Sequence, residues 1–416
     1  MSIEVRPLGV RCNLACTYCY QHPMRDAGNF GPPYNMEAML KALEAEGGPF
    51  SVFGGEPLLI PKADLERLFA FGLERYGQNG IQTNGALIDE DHIALFRKYR
   101  VHVGFSIDGP GELNRLRWAG SVEATDEATE RSIGNLRRLL REGIPASLIV
   151  TIHRVNAGDE AKRARLAEWL VKLHREGLQS IRLHALEVDT PLARRYALPH
   201  KGAAEAFIYL WERIRLEAPG LQVDVFHDIF AGLRGDDSRI TCIWHACDPW
   251  TTRAVRGVDG DGRRSNCGRT NKEGIDWIKA QTPGYERYIA LYQTPQEYGG
   301  CQGCRFFALC KGNCPGTSLD GDFRNRSEQC EFWYALMEYA EKRLEEVGIT
   351  PISRHPKREA LEAYLLRGWM EGRNPSIAEA LRAVEGGPTW TLPVGSPEHG
   401  DYTDHGDAPH GDHWDG

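Results

Sequence analysis

Residues 1–235 predict an α/β fold of parallel strands joined by helical crossovers, and two observations carry that expectation. Short runs rich in β-branched residues alternate with longer helical patterns, and the stretches with unusual side-chain chemistry follow the strands directly. Strands are expected at residues 2–8, 50–53, 80–83, 101–107, 146–152 and 180–186, with a seventh at 221–225. Helices fall between them at 36–45, 62–76, 90–99, 125–142, 160–176 and 201–217. This alternation fits an open sheet or a partial or closed barrel, and both place ligands at the carboxyl ends of strands. From 236 to 330 neither period persists; cysteine, glycine, proline and aromatic residues dominate. So irregular a segment needs cross-links in place of an apolar core. Amphipathic helix returns at 331–348, 356–372 and 375–385, before a Gly, His, Asp and Pro-rich tail from 386 that is expected to be disordered.

Composition narrows the function classes. The 416 residues are 41 % hydrophobic and 26 % charged, with a mean hydropathy of −0.45, too apolar for a disordered chain. No run of 18 apolar residues exists, so no membrane span is expected. Charged Glu4 and Arg6 interrupt the region where an export signal needs apolar residues, which points to a cytoplasmic protein. Of the net charge of −8, seven negative charges lie after Arg382, so residues 1–382 carry about −1 and offer no global field for nucleic acid. Eleven cysteines cannot all pair as disulfides, and in a reducing compartment clustered thiols mean metal or redox chemistry.

Cys12, Cys16 and Cys19 follow the first strand within eight residues. With His22 as a fourth ligand they suit zinc; alone they suit a [4Fe–4S] cluster with one iron left open for a small molecule. Spacing does not choose between the two. The segment resembles the radical S-adenosylmethionine (SAM) enzymes, whose Cys-x3-Cys-x2-Cys signature has an aromatic before its last cysteine, here Tyr18. Further signatures stand in that family's order, each at a strand end: Gly54-Gly55-Glu56-Pro57, Gln82-Thr83-Asn84-Gly85, Ser106-Ile107-Asp108-Gly109, then Thr151 and Asn156. The resemblance implies a partial (β/α)6 TIM-like barrel over 1–235. It also implies a SAM cluster on the three cysteines, with Tyr18, Gly54, Gly55, Glu56, Pro57, Asn84, Ser106, Asp108, Thr151 and Asn156 around the cofactor.

A second set runs Cys301-x2-Cys304-x5-Cys310-x3-Cys314, followed by Cys330 and preceded by Cys247 and Cys267. A zinc ribbon would want paired Cys-x2-Cys units, and only one is present. The set resembles the SPASM extension of radical SAM enzymes, which implies an auxiliary-cluster domain over 236–348. By that resemblance Cys247, Cys267 and Cys314 hold the first auxiliary [4Fe–4S] cluster, with Cys242 as its fourth ligand. Cys301, Cys304, Cys310 and Cys330 hold the second, making three clusters in all.

SPASM proteins mostly modify peptides, so a peptide or protein substrate is implied. The main expectation is a maturase that installs a crosslink, epimer or oxidation in a ribosomally made precursor peptide. The alternatives are an anaerobic sulfatase-maturing, formylglycine-forming enzyme and, outside catalysis, an iron–sulfur electron carrier. The sulfatase pattern has an Asp base after the third auxiliary cysteine; here Gly268-Arg269 follows Cys267, and Asp248 after Cys247 does not restore the match. With the first cluster at residue 12 no N-terminal leader-binding domain is expected, and a leader is expected to be bound by a separate protein, the core or the C-terminal helices (349–385). A flavodoxin or ferredoxin-like reductant is a family expectation. His153, Arg154, His184 and Glu187 stand at strand ends as acid–base candidates, and Arg115 and Arg117 as carboxylate binders. Trp244, Trp250, Phe306, Phe307 and Trp333 read as cluster packing. In the tail (386–416), three His-Gly-Asp repeats at 399, 405 and 410 suit a divalent metal, a solubility tail or a flap over the site.

Overall fold

Ile3, Val5, Val52, Ile81, Val103 and Leu148 have no exposed surface, and burying each side chain stabilises the chain by about 1.5–3 kcal/mol. They form the heart of a sheet covered on both faces, so that apolar residues recur along its strands and the polar ones among them, Glu4, Arg6, Asn79 and Gln82, are buried too. The computed structural model describes residues 3–21, 33–247, 256–266, 268–270 and 284–386. Within these, residues up to 224 together with 256–270 make one unit; 225–247 and 284–386 make another.

The first unit holds β1 (Ile3–Arg6), β2 (Phe50–Val52), β3 (Asn79–Thr83), β4 (Val101–Ser106), β5 (Ala146–Ile152), β6 (Ser180–Ala185) and β7 (Gln222–Val223), all parallel in sequential order. Ile3 pairs with Phe50, Ile81 with Val103 and Leu148 with Ile181. The crossovers are α1 (Met36–Glu46), α2 (Lys62–Tyr76), α3 (Glu90–Lys98), α4 (Val122–Arg141), α5 (Glu160–Arg175) and α6 (His200–Glu217). Side-chain caps set several helix starts: Asn35 accepts from the Ala38 amide, Asp89 from His92, Ser121 from Ala124 and Asp159 from Lys162, about 1 kcal/mol apiece. The α/β, mostly parallel class expected from the sequence is the class observed.

Two details differ from the six-stranded expectation. A hairpin of β8 (Arg256–Asp259) and β9 (Arg264–Asn266) adds to the open side of β1, β8 in parallel and β9 antiparallel. It comes from the stretch read as irregular, so the boundary of the first unit lies at 224 and the chain re-enters that unit after 255. Buried Glu46 of α1 fastens the hairpin by accepting from Arg256 at 3.0 Å and from Arg264.

Helix α7 (Asp224–Leu233) opens the second unit, and α8 (Glu286–Gln293), α9 (Cys330–Glu346), α10 (Arg358–Met370) and α11 (Ile377–Glu385) follow. The three C-terminal helices were expected; α8 was not. Trp244, Phe306, Phe307, Phe332 and Trp333 are buried, with Trp244 and Trp333 edge to face at 5.3 Å. Buried Arg287 of α8 donates to the carbonyls of Phe323, Asn313 and Asn325 at 2.5, 3.1 and 2.9 Å. It thereby satisfies backbone that has neither helix nor ladder to pair with. Among the described residues no helix is long and apolar enough to cross a membrane.

Candidate active site

The carboxyl ends of β1 to β4 open into a cleft of about 710 Å³ including its mouth. Cys12, Cys16, Tyr18 and Cys19 line it, with Gly54, Gly55, Glu56, Asn84, Ser106 and Arg117. The loop after β1 is held from two sides. Its Ala15 and Thr17 amides donate to the Trp118 and Leu116 carbonyls at 2.7 Å each, and Arg11 accepts from the Glu56 amide at 2.7 Å. That contact explains Gly55: its φ is +40°, and a Cβ there would lie 1.9 Å from the Arg11 carbonyl oxygen. No side chain fits, so two glycines let the second loop press against the cysteine loop.

Glu56 is a clasp. It is 1 % exposed and accepts from the Leu58 amide at 3.0 Å, the Thr83 hydroxyl at 2.7 Å and the Asn84 amide at 2.9 Å. Burial pushes its carboxyl up to about 7, against these three hydrogen bonds that favour the charged form. Asn84 in turn donates to Asn13 at 2.8 Å, and Gln82 to Ser106 at 2.5 Å.

Behind the cleft lies a knot around Asp108. This carboxylate has no exposure; it accepts from Arg117 and from the Thr151 amide at 2.9 Å each, from Tyr18, and faces His153 Nε2 at 3.4 Å. Burial alone would raise its pKa, but the Arg117 guanidinium, with His153 and Tyr18, holds it down at about 2. Asn156 donates to the Asp108 and Thr151 carbonyls at 2.9 and 2.8 Å. Asp108, Thr151 and Asn156 therefore support the cleft from behind instead of lining it, and Pro57, buried at the start of a one-turn helix, does not line it either. His153 also has no exposure and caps a single helical turn, accepting from the Asn156 amide at 3.2 Å. Arg115 is away from the cleft, paired with Asp126 at 2.7 Å.

At the end of β6, Glu187 is paired with Arg269, whose guanidinium also meets His184 Nε2. The residue before, Gly268, has Tyr20 overhead: a Cβ at 268 would come within 2.7 Å of the Tyr20 hydroxyl. Arg269 was read from the sequence only as a departure from a pattern. Phe53 and Ile149, which pack together and line the cleft, were missed because apolar residues at strand ends carry no chemical signal of their own.

In the second unit Cys301, Cys304, Cys310 and Cys330 act on one another electrostatically. Burial pushes the Cys301 thiol up to about 12, and lifts those of Cys310 and, in the first unit, Cys16 further. Thiolates so costly to form alone suit a cationic iron core that takes up their charge. Among the described residues no three Cys, His, Asp or Glu side chains are drawn together as for a single ion. Cys242 begins a one-turn helix, Cys247 is bracketed by the Tyr288 hydroxyl, which donates to its carbonyl at 2.6 Å, and Cys314 is buried. Burial pulls the Lys311 ammonium down to about 8, opposed by Asp237 and Cys310. Cys267, His22, Asp248, Trp250 and the His-Gly-Asp repeats lie outside the described residues.

The sequence profile of the radical SAM superfamily matches residues 7–167, the stretch that builds this cleft. Residues 7–167 thus match a radical SAM domain, and the α/β fold with its mostly parallel sheet is similar to that of radical SAM maturases. It is similar to the cysteine-type anaerobic sulfatase-maturating enzyme of Clostridium perfringens (strain 13 / Type A), 36 % identical over 131 residues. That match covers 28 % of this chain and 35 % of the relative, so the chain spans about a third of the curated relative's length there. The enzyme of the same description from Clostridium novyi (strain NT) is 24 % identical over 371 residues, 83 % of this chain and 95 % of its own. Among solved structures, native anSMEcpe with bound AdoMet and Cp18Cys peptide superposes with a TM-score of 0.62 at 20 % identity, over 83 % of this chain and 98 % of that one. Streptococcus suis SuiB bound to precursor peptide SuiA gives 0.54 at 15 % identity, over 79 % and 75 %.

Proposed function

We propose that this protein removes a hydrogen atom from a cysteine or serine side chain of a peptide or protein and so oxidises it, in the manner of anaerobic sulfatase maturation. The observation that supports this most is that three thiols, the Gly-Gly-Glu loop, Asn84 and Ser106 line one strand-end cleft. Cys12, Cys16 and Cys19 would hold a [4Fe–4S] cluster, and S-adenosylmethionine would lie against Gly54, Gly55, Asn84, Ser106 and Arg117. Reduced and with that cofactor bound, such a cluster would supply hydrogen-abstraction chemistry at the cleft; the hydrogen atom would leave with the cofactor's 5′-deoxyadenosyl group, and the second electron would pass to an iron–sulfur cluster with a proton released to solvent. The chain's own part is to place both partners and keep water out: Glu56 and Asn84 tie the cysteine loop to β3, and Asp108 fixes Tyr18 and Arg117 at the cleft's back wall.

The named relatives favour sulfatase maturation over crosslink formation or epimerisation in a precursor peptide. One residue supports the second reading: the position after Cys267 is Gly268, with a tyrosine where a carboxylate would have to fit. Electrons would come from a flavodoxin or ferredoxin-like donor. Anaerobically reconstituted protein, given reductant, S-adenosylmethionine and a sulfatase-derived peptide with cysteine or serine at the target position, should form 5′-deoxyadenosine. The cysteine peptide should lose two hydrogens, then exchange hydrogen sulfide for water to leave an aldehyde, seen by mass spectrometry. Cofactor cleavage with both peptides unchanged would favour the precursor-peptide reading. No 5′-deoxyadenosine at all would end both.

A further inference from the structure

Two buried donors in the loop between Cys310 and Cys314 lack an adequate acceptor. Lys311 is 2 % exposed, and its ammonium donates to the Trp244 carbonyl at 2.9 Å and the Leu309 carbonyl at 3.4 Å. Among the described residues no carboxylate stands within ion-pair distance of it. Asp237, the acid that acts on it from further away, spends its oxygens on the amides of Ile377 and Ala378 at 2.7 and 3.5 Å. A buried ammonium without a counter-charge costs several kcal/mol. Asn313, 5 % exposed, accepts at Oδ1 from the Cys314 amide at 2.8 Å, while its Nδ2 is buried with no partner.

The backbone enforces this arrangement at a cost. Lys311 and Asn313 both take left-handed conformations, φ 49° and 58°, a region that disfavours a lysine and that an asparagine tolerates better. Such strain persists where the surroundings fix it and something is gained. The two residues sit between thiols that the SPASM resemblance assigns to different auxiliary clusters, and Lys311 also reaches the carbonyl of Trp244, between Cys242 and Cys247.

We propose that Lys311 and the Asn313 carboxamide are outer donors to the auxiliary iron–sulfur clusters, the first supplying positive charge and the second an N–H group to thiolate-ligated cores that carry net negative charge. They position and tune; neither touches substrate. The proposal rests on the auxiliary-cluster reading, and its test separates the two.

Lys311→Met, Lys311→Arg and Asn313→Asp proteins are reconstituted with iron and sulfide, their iron counted, and their clusters titrated potentiometrically by EPR and visible absorption. In Lys311→Met a cluster other than the first becomes harder to reduce by about tenfold in its equilibrium, about 59 mV for one electron. Lys311→Arg keeps most of the wild-type potential. Asn313→Asp retains the acceptor for the Cys314 amide, loses the donor and shifts the potential in the same direction. Unchanged potentials in Lys311→Met and Asn313→Asp at full iron content overturn the proposal. Iron for one cluster in the wild-type chain overturns the auxiliary reading and the proposal with it. Should Lys311→Met not take up iron, melting of the cluster-free protein still decides: loss of an uncompensated ammonium raises its melting temperature, and a lowered one counts against the proposal.

Discussion

Asp108 and Glu56 are both buried carboxylates, yet their surroundings push them in opposite directions. Asp108 faces a guanidinium and is held at about 2, so its contribution to stability is present above the usual carboxylate range and is lost as the pH falls towards 2. Asp108→Asn leaves the Arg117 guanidinium buried and unpaired; a loss of about 3–5 kcal/mol is expected, measured by denaturant unfolding near neutral pH. Glu56 meets only neutral donors and is raised to about 7. Its folded form binds the proton more tightly than the unfolded chain does, so its contribution is complete below about 4.5 and fades as the pH rises through 7. Cluster-free protein should therefore melt at progressively lower temperature between pH 5 and pH 8, and Glu56→Gln should flatten that slope. A slope unchanged by the substitution would mean another group titrates.

At the level of elements, the strands were legible where burial on both faces leaves a near-continuous apolar run, as in β5. β1 and β3 are as deeply buried but carry Glu4, Arg6, Asn79 and Gln82, and were legible from their β-branched residues and the motifs that follow them. The β8–β9 hairpin was not. Its strands are four and three residues long, and Arg256 and Arg264 in them read as loop until Glu46 of α1 is seen to receive both. The signal was present in Asp259-Gly260-Asp261-Gly262, a turn sequence that joins short strands. Helix α8 was hidden for a similar reason: Arg287 reads as a surface charge, and only the folded loop shows that it serves backbone carbonyls. The contact between the Gly-Gly-Glu loop and the cysteine loop sets a sharp expectation. Gly55→Ala would force the two loops apart, and iron uptake at Cys12, Cys16 and Cys19 should fall by about tenfold or more, because an overpacked contact to rigid backbone cannot relax cheaply. Iron content at the wild-type level would show that the loop moves freely.

Across the whole molecule, the cysteine spacings and strand-end motifs pointed to residues that line one cleft, whereas their depths within it required coordinates. The family resemblance placed Asp108, Thr151 and Asn156 beside Ser106 around the cofactor, all four at or just beyond strand ends. The structure separates them by depth: Ser106 lines the cleft, and the other three are spent on one another and on Tyr18, Arg117 and His153. In the same way His184 and Glu187 emerged as isolated candidates and proved to share Arg269, a partner some 80 residues away that no period or spacing connects to them.

The tyrosine above Gly268 constrains any attempt to convert one catalytic habit into another by a single exchange. Gly268→Asp alone should eject Tyr20 from beside the cysteine loop and weaken metal uptake before any new proton acceptor is gained. Pairing it with Tyr20→Phe removes the hydroxyl that blocks the position and leaves the ring's Cε2 at 3.4 Å, a tolerable contact. If the double variant retains its iron where the single one loses it, adjacent crowding rather than chemistry has kept an acidic side chain out of this corner of the molecule.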